Sequence, residues 1–150
     1  MPQSLAKLYV HLIFSTKNRE SLLDREIQIE LASYLGGALN HLDGQPIEIG
    51  GSRDHAHVLC CLSKNLSLSK LMEEIKSSSS KWIKTKGSHL AQFHWQNGYG
   101  AYSVSQSHLS PVIQYIRQQE EHHLKVTFQE EFLEFLKRYR VAYDERYVWD

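Results

Sequence analysis

The stretch Arg53-Asp54-His55-Ala56-His57-Val58-Leu59 sets two histidines one residue apart in a short apolar run. In a β-strand side chains alternate faces, so His55 and His57 point one way and Ala56, Val58 and Cys60 the other. Two imidazoles on one rigid face are half of a metal site, since neutral imidazole is the commonest protein ligand for a divalent ion. A third donor and a nucleophile both occur in the segment from Ser110 to Leu124, read as one helix. There Tyr115 and Gln119 stand four residues apart and share a stripe. A divalent ion held by His55, His57 and Gln119 would polarise a phosphate oxygen and offset charge as a phosphodiester breaks. A phenol has a pKa of about 10, so only about one in a thousand is ionised at neutral pH, and a nearby cation favours the phenolate. Attack by Tyr115 would give a covalent phosphotyrosine. Such a bond keeps the energy of the phosphodiester, so a later strand can be joined to it.

The elements that must position these residues follow from periodicity and punctuation. Leu5 to Ser15 is β-branched and aromatic-rich and reads as a first strand. His11 within it reads as a histidine packed at the sheet surface. Asp24 to His41 repeats apolar residues at helical spacing, with Asp24 as N-cap. Ile47-Glu48-Ile49 starts a second strand that ends at Gly50-Gly51, pairing antiparallel with the histidine strand His55 to Leu62. Leu66 to Lys84 is a second helix capped by Ser67 or Ser69, with Lys70, Lys76, Lys81 and Lys84 on its outer face. The serines at 77–80 would let this helix approach another backbone closely. Phe93 to Gln96 and Ala101 to Ser105 read as short strands or extended segments about the turn Asn97-Gly98-Tyr99-Gly100. Ser110-Pro111 predicts a capped helix start, and Thr127 with Glu130 a capping box for a last helix through Arg140. The order fits an α+β fold, a ferredoxin-like or RRM-like antiparallel sheet with helices packed on one face and the other face open.

The chain of 150 residues, 41% hydrophobic and 23% charged, fits one domain over residues 1–150 with a sizeable core. No apolar run approaches the ~20 residues of a membrane span. The cysteines Cys60 and Cys61 are neighbours and cannot form a disulfide framework, which points to a cytoplasmic protein. Net charge is zero, which argues mildly against a nucleic-acid binder, but charge is unevenly spread. Arg53 to Lys86 holds seven basic residues against three acidic, and Gln119 to Asp150 five against eight. A phosphate-binding middle and a plain charged helix surface both account for that pattern.

The strand Asp54-His55-Ala56-His57-Val58-Leu59 resembles the histidine–hydrophobic–histidine motif of the HUH endonucleases. Trp95 to Ser105, followed by Tyr115-Ile116-Arg117-Gln118-Gln119-Glu120-Glu121-His122-His123, is similar to the single-tyrosine insertion-sequence transposases and their REP-associated relatives. The likeness runs essentially along the whole chain. It implies that Tyr115 is the nucleophile and that His55, His57 and Gln119 hold Mg2+ or Mn2+. The substrate it implies is single-stranded DNA, in hairpins at element ends, cleaved to a 5′-phosphotyrosine and a free 3′-hydroxyl. It further implies a homodimer with composite active sites.

Other residues carry weaker signals. His122 could approach the metal or a phosphate, and Arg53, Lys81 and Lys84 could contact phosphates independently of sequence. Tyr99, Trp82 and Trp95 could stack on unpaired bases or pack in the core. A second reading is a non-catalytic single-stranded nucleic-acid binding module, which needs exposed aromatics and basic residues but neither a metal nor Tyr115. A histidine-triad hydrolase is excluded, because its third alternating histidine falls on Leu59.

Overall fold

Alternation along the histidine strand places it at the centre of a sheet, because both of its faces must be covered. Four strands, β1 (Tyr9–Ser15), β2 (Gln45–Gly51), β3 (His55–Cys61) and β4 (Gly100–Val104), form one antiparallel sheet in the order β2-β3-β1-β4. This is the ferredoxin-like order, and every residue of β3 is buried. The computed structural model describes residues 2–150. Register aligns Ile13 with His57 and Ser15 with His55, so β1 runs beside the histidines. β1 begins at Tyr9 rather than Leu5, and Leu5 and Leu8 before it are exposed. The segment 93–96 is not a strand; only Trp95 bridges, to Thr16.

The first face is covered by α1 (Arg25–His41) and α2 (Leu68–Lys84). Asp24 caps α1 by accepting from the Ile27 N–H at 2.9 Å, and Ser67 caps α2 by accepting from Lys70 N at 3.1 Å. Leu12, Phe14, Val58, Leu35, Leu39 and Ile75 meet in the core beneath them. The serine run has a reason: Trp95 lies against it, its indole N–H donating to Ser79 Oγ at 2.9 Å. Trp95 is thus a core residue. Lys76 is not on a free outer face, for its ammonium donates to the carbonyls of Gln96, Asn97 and Gly98 at 2.6, 3.0 and 2.9 Å. Cys60, in the same core, has its thiol pushed up to about 12 by burial.

The second face, expected to be open, is closed. It carries α3 (Leu109–Arg117), the short α4 (Gln119–His122) and α5 (Phe128–Arg138). Leu59 and Val104 pack against Val112 and Ile116 of α3, and Ile13 and Tyr102 against Phe128, Phe132 and Phe135 of α5. The helix expected from Ser110 to Leu124 is interrupted at Gln118, whose φ and ψ of −97° and 14° leave the α region. Its start is also shifted. His108 occupies the cap position without a side-chain bond, and Pro111 sits in the first turn, where its missing N–H costs nothing. The capping box of α5 forms as expected, with Thr127 Oγ1 accepting from Glu130 N at 3.1 Å. Beyond it, Trp149 packs against Phe128 and Phe132, and Asp150 O accepts from Gly98 N at 2.8 Å. Among the described residues no helix is long and apolar enough to cross a membrane.

Candidate active site

Three rings point from the sheet into its second face: His55 and His57 from β3, and His11 from β1, each 2% exposed or less. Each β3 histidine is held at its Nδ1. The Asp54 carboxylate, which can only accept, takes His55 Nδ1–H at 2.7 Å, so Nε2 of His55 presents its lone pair. His57 Nδ1 lies 2.8 Å from His11 Nε2. Burial, followed by the neighbouring His57, holds the His11 pKa well below its ordinary value, and burial also lowers His57 despite Glu131 beside it. Both shifts favour the neutral form of these rings. A carboxylate or a second ring behind a histidine is the arrangement that orients imidazoles toward a metal.

The elements of the second face bring the remaining groups. Tyr115, on α3, has its ring 5.8 Å from that of His57. Gln119 reaches the same cluster although α3 ends before it; its side-chain oxygen lies 3.0 Å from His55 Nε2. Glu131, on α5, enters the centre. Its Oε1 is 3.0 Å from His57 Nε2 and 3.6 Å from His55 Nε2, and its Oε2 accepts from the Tyr115 hydroxyl. His122 Nε2 stands 3.4 Å from both Tyr115 Oη and Glu131 Oε2. His123 Nε2 is 3.2 Å from Glu131 Oε2, within ion-pair reach but off the hydrogen-bonding angle, and is buried with no other partner. A cavity of about 500 Å³ opens beside Tyr115, between His122, Glu131, Phe135 and Arg138.

The electrostatics turn on Glu131. Burial works against its ionisation, but His57, His123 and His55 around it outweigh that and hold the carboxyl well below the usual range. Burial, and then this carboxylate, push the Tyr115 phenol well above its ordinary value. Glu131, His123 and His11 thus belong to the cluster, though the sequence pattern had singled out none as a site residue.

The other candidates are spread more widely. Arg53 is exposed in the turn that leads into His55. Lys81 and Lys84 stand on α2, across the sheet from the histidines, and Lys84 donates to Ser80 Oγ at 3.1 Å. Tyr99 is half-buried, with the Lys76 ammonium 5.8 Å from its ring centre. Trp82 is stacked on Tyr34 and covered by Lys86, which leaves it no free face for a base.

The donor set suits a divalent ion: converging imidazoles, an ionised carboxylate and an amide oxygen, with His123 Nε2 buried and without a hydrogen bond. A tyrosine hydroxyl lies beside this set, on the helical cover of a ferredoxin-like sheet. The family model described as "Transposase IS200 like" matches residues 4–119, more than half of the chain. The protein belongs to the IS200-like transposase family, whose general activity is DNA strand transfer. Two solved structures share the fold. A Deinococcus radiodurans R1 protein named as a transposase has a TM-score of 0.63 at 22% identity, covering 80% of this chain and 96% of that one. A REP-associated tyrosine transposase bound to a REP hairpin has a TM-score of 0.61 at 16% identity, covering 96% of this chain and 91% of that one. No curated protein matches the sequence.

Proposed function

We propose that this transposase cleaves and rejoins single-stranded DNA with Tyr115 as nucleophile. The observation that carries the reading is the convergence of Tyr115, His55, His57 and Gln119 on one buried spot of the second sheet face. His55, His57 and Gln119 would hold Mg2+ or Mn2+, which, when bound, polarises the scissile phosphate and favours the phenolate. Asp54 and His11 keep the two imidazoles aimed. The Tyr115 oxygen attacks phosphorus as its proton departs, the P–O3′ bond breaks, and the 3′-oxygen takes a proton. The products are a 5′-phosphotyrosine and a free 3′-hydroxyl, and reversal onto another 3′-hydroxyl completes the transfer. The hairpin bound by the REP-associated neighbour supports a hairpin substrate, with Arg53 and Tyr99 as candidate DNA contacts. Lys81, Lys84 and His122 are proposed as further contacts, the lysines through phosphates alone.

The test is a denaturing gel of protein, labelled single-stranded hairpin DNA and Mn2+. A covalent protein–DNA band is expected in wild type, absent with chelator, and lost in Tyr115→Phe and His57→Ala. DNA binding that persists with no band in any sample would favour the non-catalytic binding module. The homodimer is proposed as well. Light scattering reads it, and mixing Tyr115→Phe with His57→Ala chains reads how sites are built. A restored band means composite sites; none means that each chain works with its own tyrosine.

A further inference from the structure

The geometry points to a second, closed donor set at this centre: His55, His57, His123 and Glu131 together hold a late first-row ion such as Zn2+ or Co2+. Their ligating atoms all lie within 4.8 Å of one another. Glu131 Oε1 is 3.0 and 3.6 Å from the Nε2 atoms of His57 and His55, and its other oxygen is 3.2 Å from His123 Nε2. Metal–donor bonds of about 2.0–2.1 Å in a tetrahedron imply donor separations of about 3.4 Å, so the cluster needs only small adjustments to close around an ion. His123 Nε2 is buried and without a hydrogen bond, and it faces the Glu131 carboxylate. Three imidazoles and one carboxylate suit zinc-like ions. Mg2+ seeks an oxygen-rich octahedron with several waters.

Four protein donors are the pattern of a closed site, whereas catalytic centres keep one position open. This set is thus a resting form of the site described above, and in that respect it rests on the single-tyrosine reading. His55 and His57 are fixed on the central strand, whereas His123 and Glu131 come from the segment beyond α3. Departure of Glu131 opens a position for a phosphate oxygen and releases the Tyr115 hydroxyl at once, since one carboxylate holds both. Gln119, 3.0 Å from His55 Nε2, is the donor placed to take over.

The experiment is a Co2+ titration of the untagged, chelator-stripped full chain, read by visible absorption. Four-coordinate Co2+ gives intense bands and six-coordinate Co2+ faint ones. One Co2+ per chain with intense bands is expected, displaced by Zn2+ but not by about a hundredfold excess of Mg2+. Glu131→Gln and His123→Ala should each weaken Co2+ binding at least about tenfold and fade the bands. Glu134→Gln, one turn further along α5, should leave them unchanged. Faint bands in wild type, displacement by equal Mg2+, or undiminished binding in folded His123→Ala would overturn the proposal. Circular dichroism identifies a variant that fails to fold, and His123→Ala decides if Glu131→Gln does. The covalent-band assay is separate. A band without intense Co2+ absorption removes the closed set alone, and intense absorption without a band removes the single-tyrosine chemistry alone.

Discussion

At the Tyr115 hydroxyl two influences of opposite sign meet. An ionised Glu131 at that oxygen keeps the phenol protonated, while a cation at His55 and His57 would draw the proton off. That His55 and His57 share one face was legible from types and spacing, because period two in a strand fixes which side chains point together. The approach of Tyr115 and Gln119 to them followed the four-residue step only in part, since the helix breaks between the two. Glu131 left a signal that went unread: it interrupts the apolar stripe Phe128, Phe132, Phe135 and Leu136 of α5, and a carboxylate on a core-facing stripe must find partners. His11 was unreadable alone, since only the register of β1 against β3 sets it behind His57. A different residue gives a pH test clear of the site. Burial, then Tyr139, push Tyr102 up to about 12, and its hydroxyl is buried with no protein partner. Between about pH 10 and 12 the unfolded chain has lost this proton and the folded chain keeps it, so stability falls as pH rises through that window. Tyr102→Phe should remove its share of the decline and add about 1 kcal/mol at neutral pH. Urea unfolding at about pH 7 and pH 11 measures both, and a less stable variant at neutral pH would show that the hydroxyl is satisfied.

Among the elements, α3 carries Tyr115, the proposed nucleophile, and β2 packs against it. A methyl group on Gly50 would lie 2.9 Å from Ile116 Cγ2 and 3.0 Å from Ile116 O, so Gly50→Ala must push α3 outward. The expected cost is about 2 kcal/mol of stability. The rate of covalent-band formation should fall about a hundredfold, because Tyr115 is displaced from His57. Melting and single-turnover rates separate the two, and an unchanged rate in a destabilised protein would show that α3 recoils without moving the tyrosine. Thr127→Ala, which removes the cap of α5, should cost about 1 kcal/mol in the same unfolding assay. Periodicity and caps made α1, α2 and α5 legible to within a few residues. The break at Gln118 was not, for Arg117-Gln118-Gln119-Glu120-Glu121 contains only good helix formers and neither Gly nor Pro. Tertiary contacts override that propensity where Gln119 turns to His55. The covered second face was hidden for a related reason. An apolar stripe says that a helix packs, without saying on which side of the sheet.

Over the whole molecule, one sheet separates a conventional core from the histidine cluster, and the far end of the chain packs against the cluster's side. Trp149, gripped between Phe128, Phe132 and the Arg19 guanidinium 5.4 Å from its ring, ties α5 to the region around β1. Trp149→Ala should speed amide hydrogen exchange in α5 about tenfold or more while leaving α1 unchanged. Equal acceleration in both helices would mean that the residue supports the fold at large rather than this latch. The two adjacent thiols of β3 then acquire a use of their own. Cys60 and Cys61 sit on the strand that bears the two histidines, shielded on its opposite faces, with Cys60 kept as the inert thiol. A colourless alkylating reagent added to native protein can reach them only when that strand is uncovered. Their modification rate is therefore a built-in clock for opening of the histidine strand, and it should slow when metal or hairpin DNA is bound.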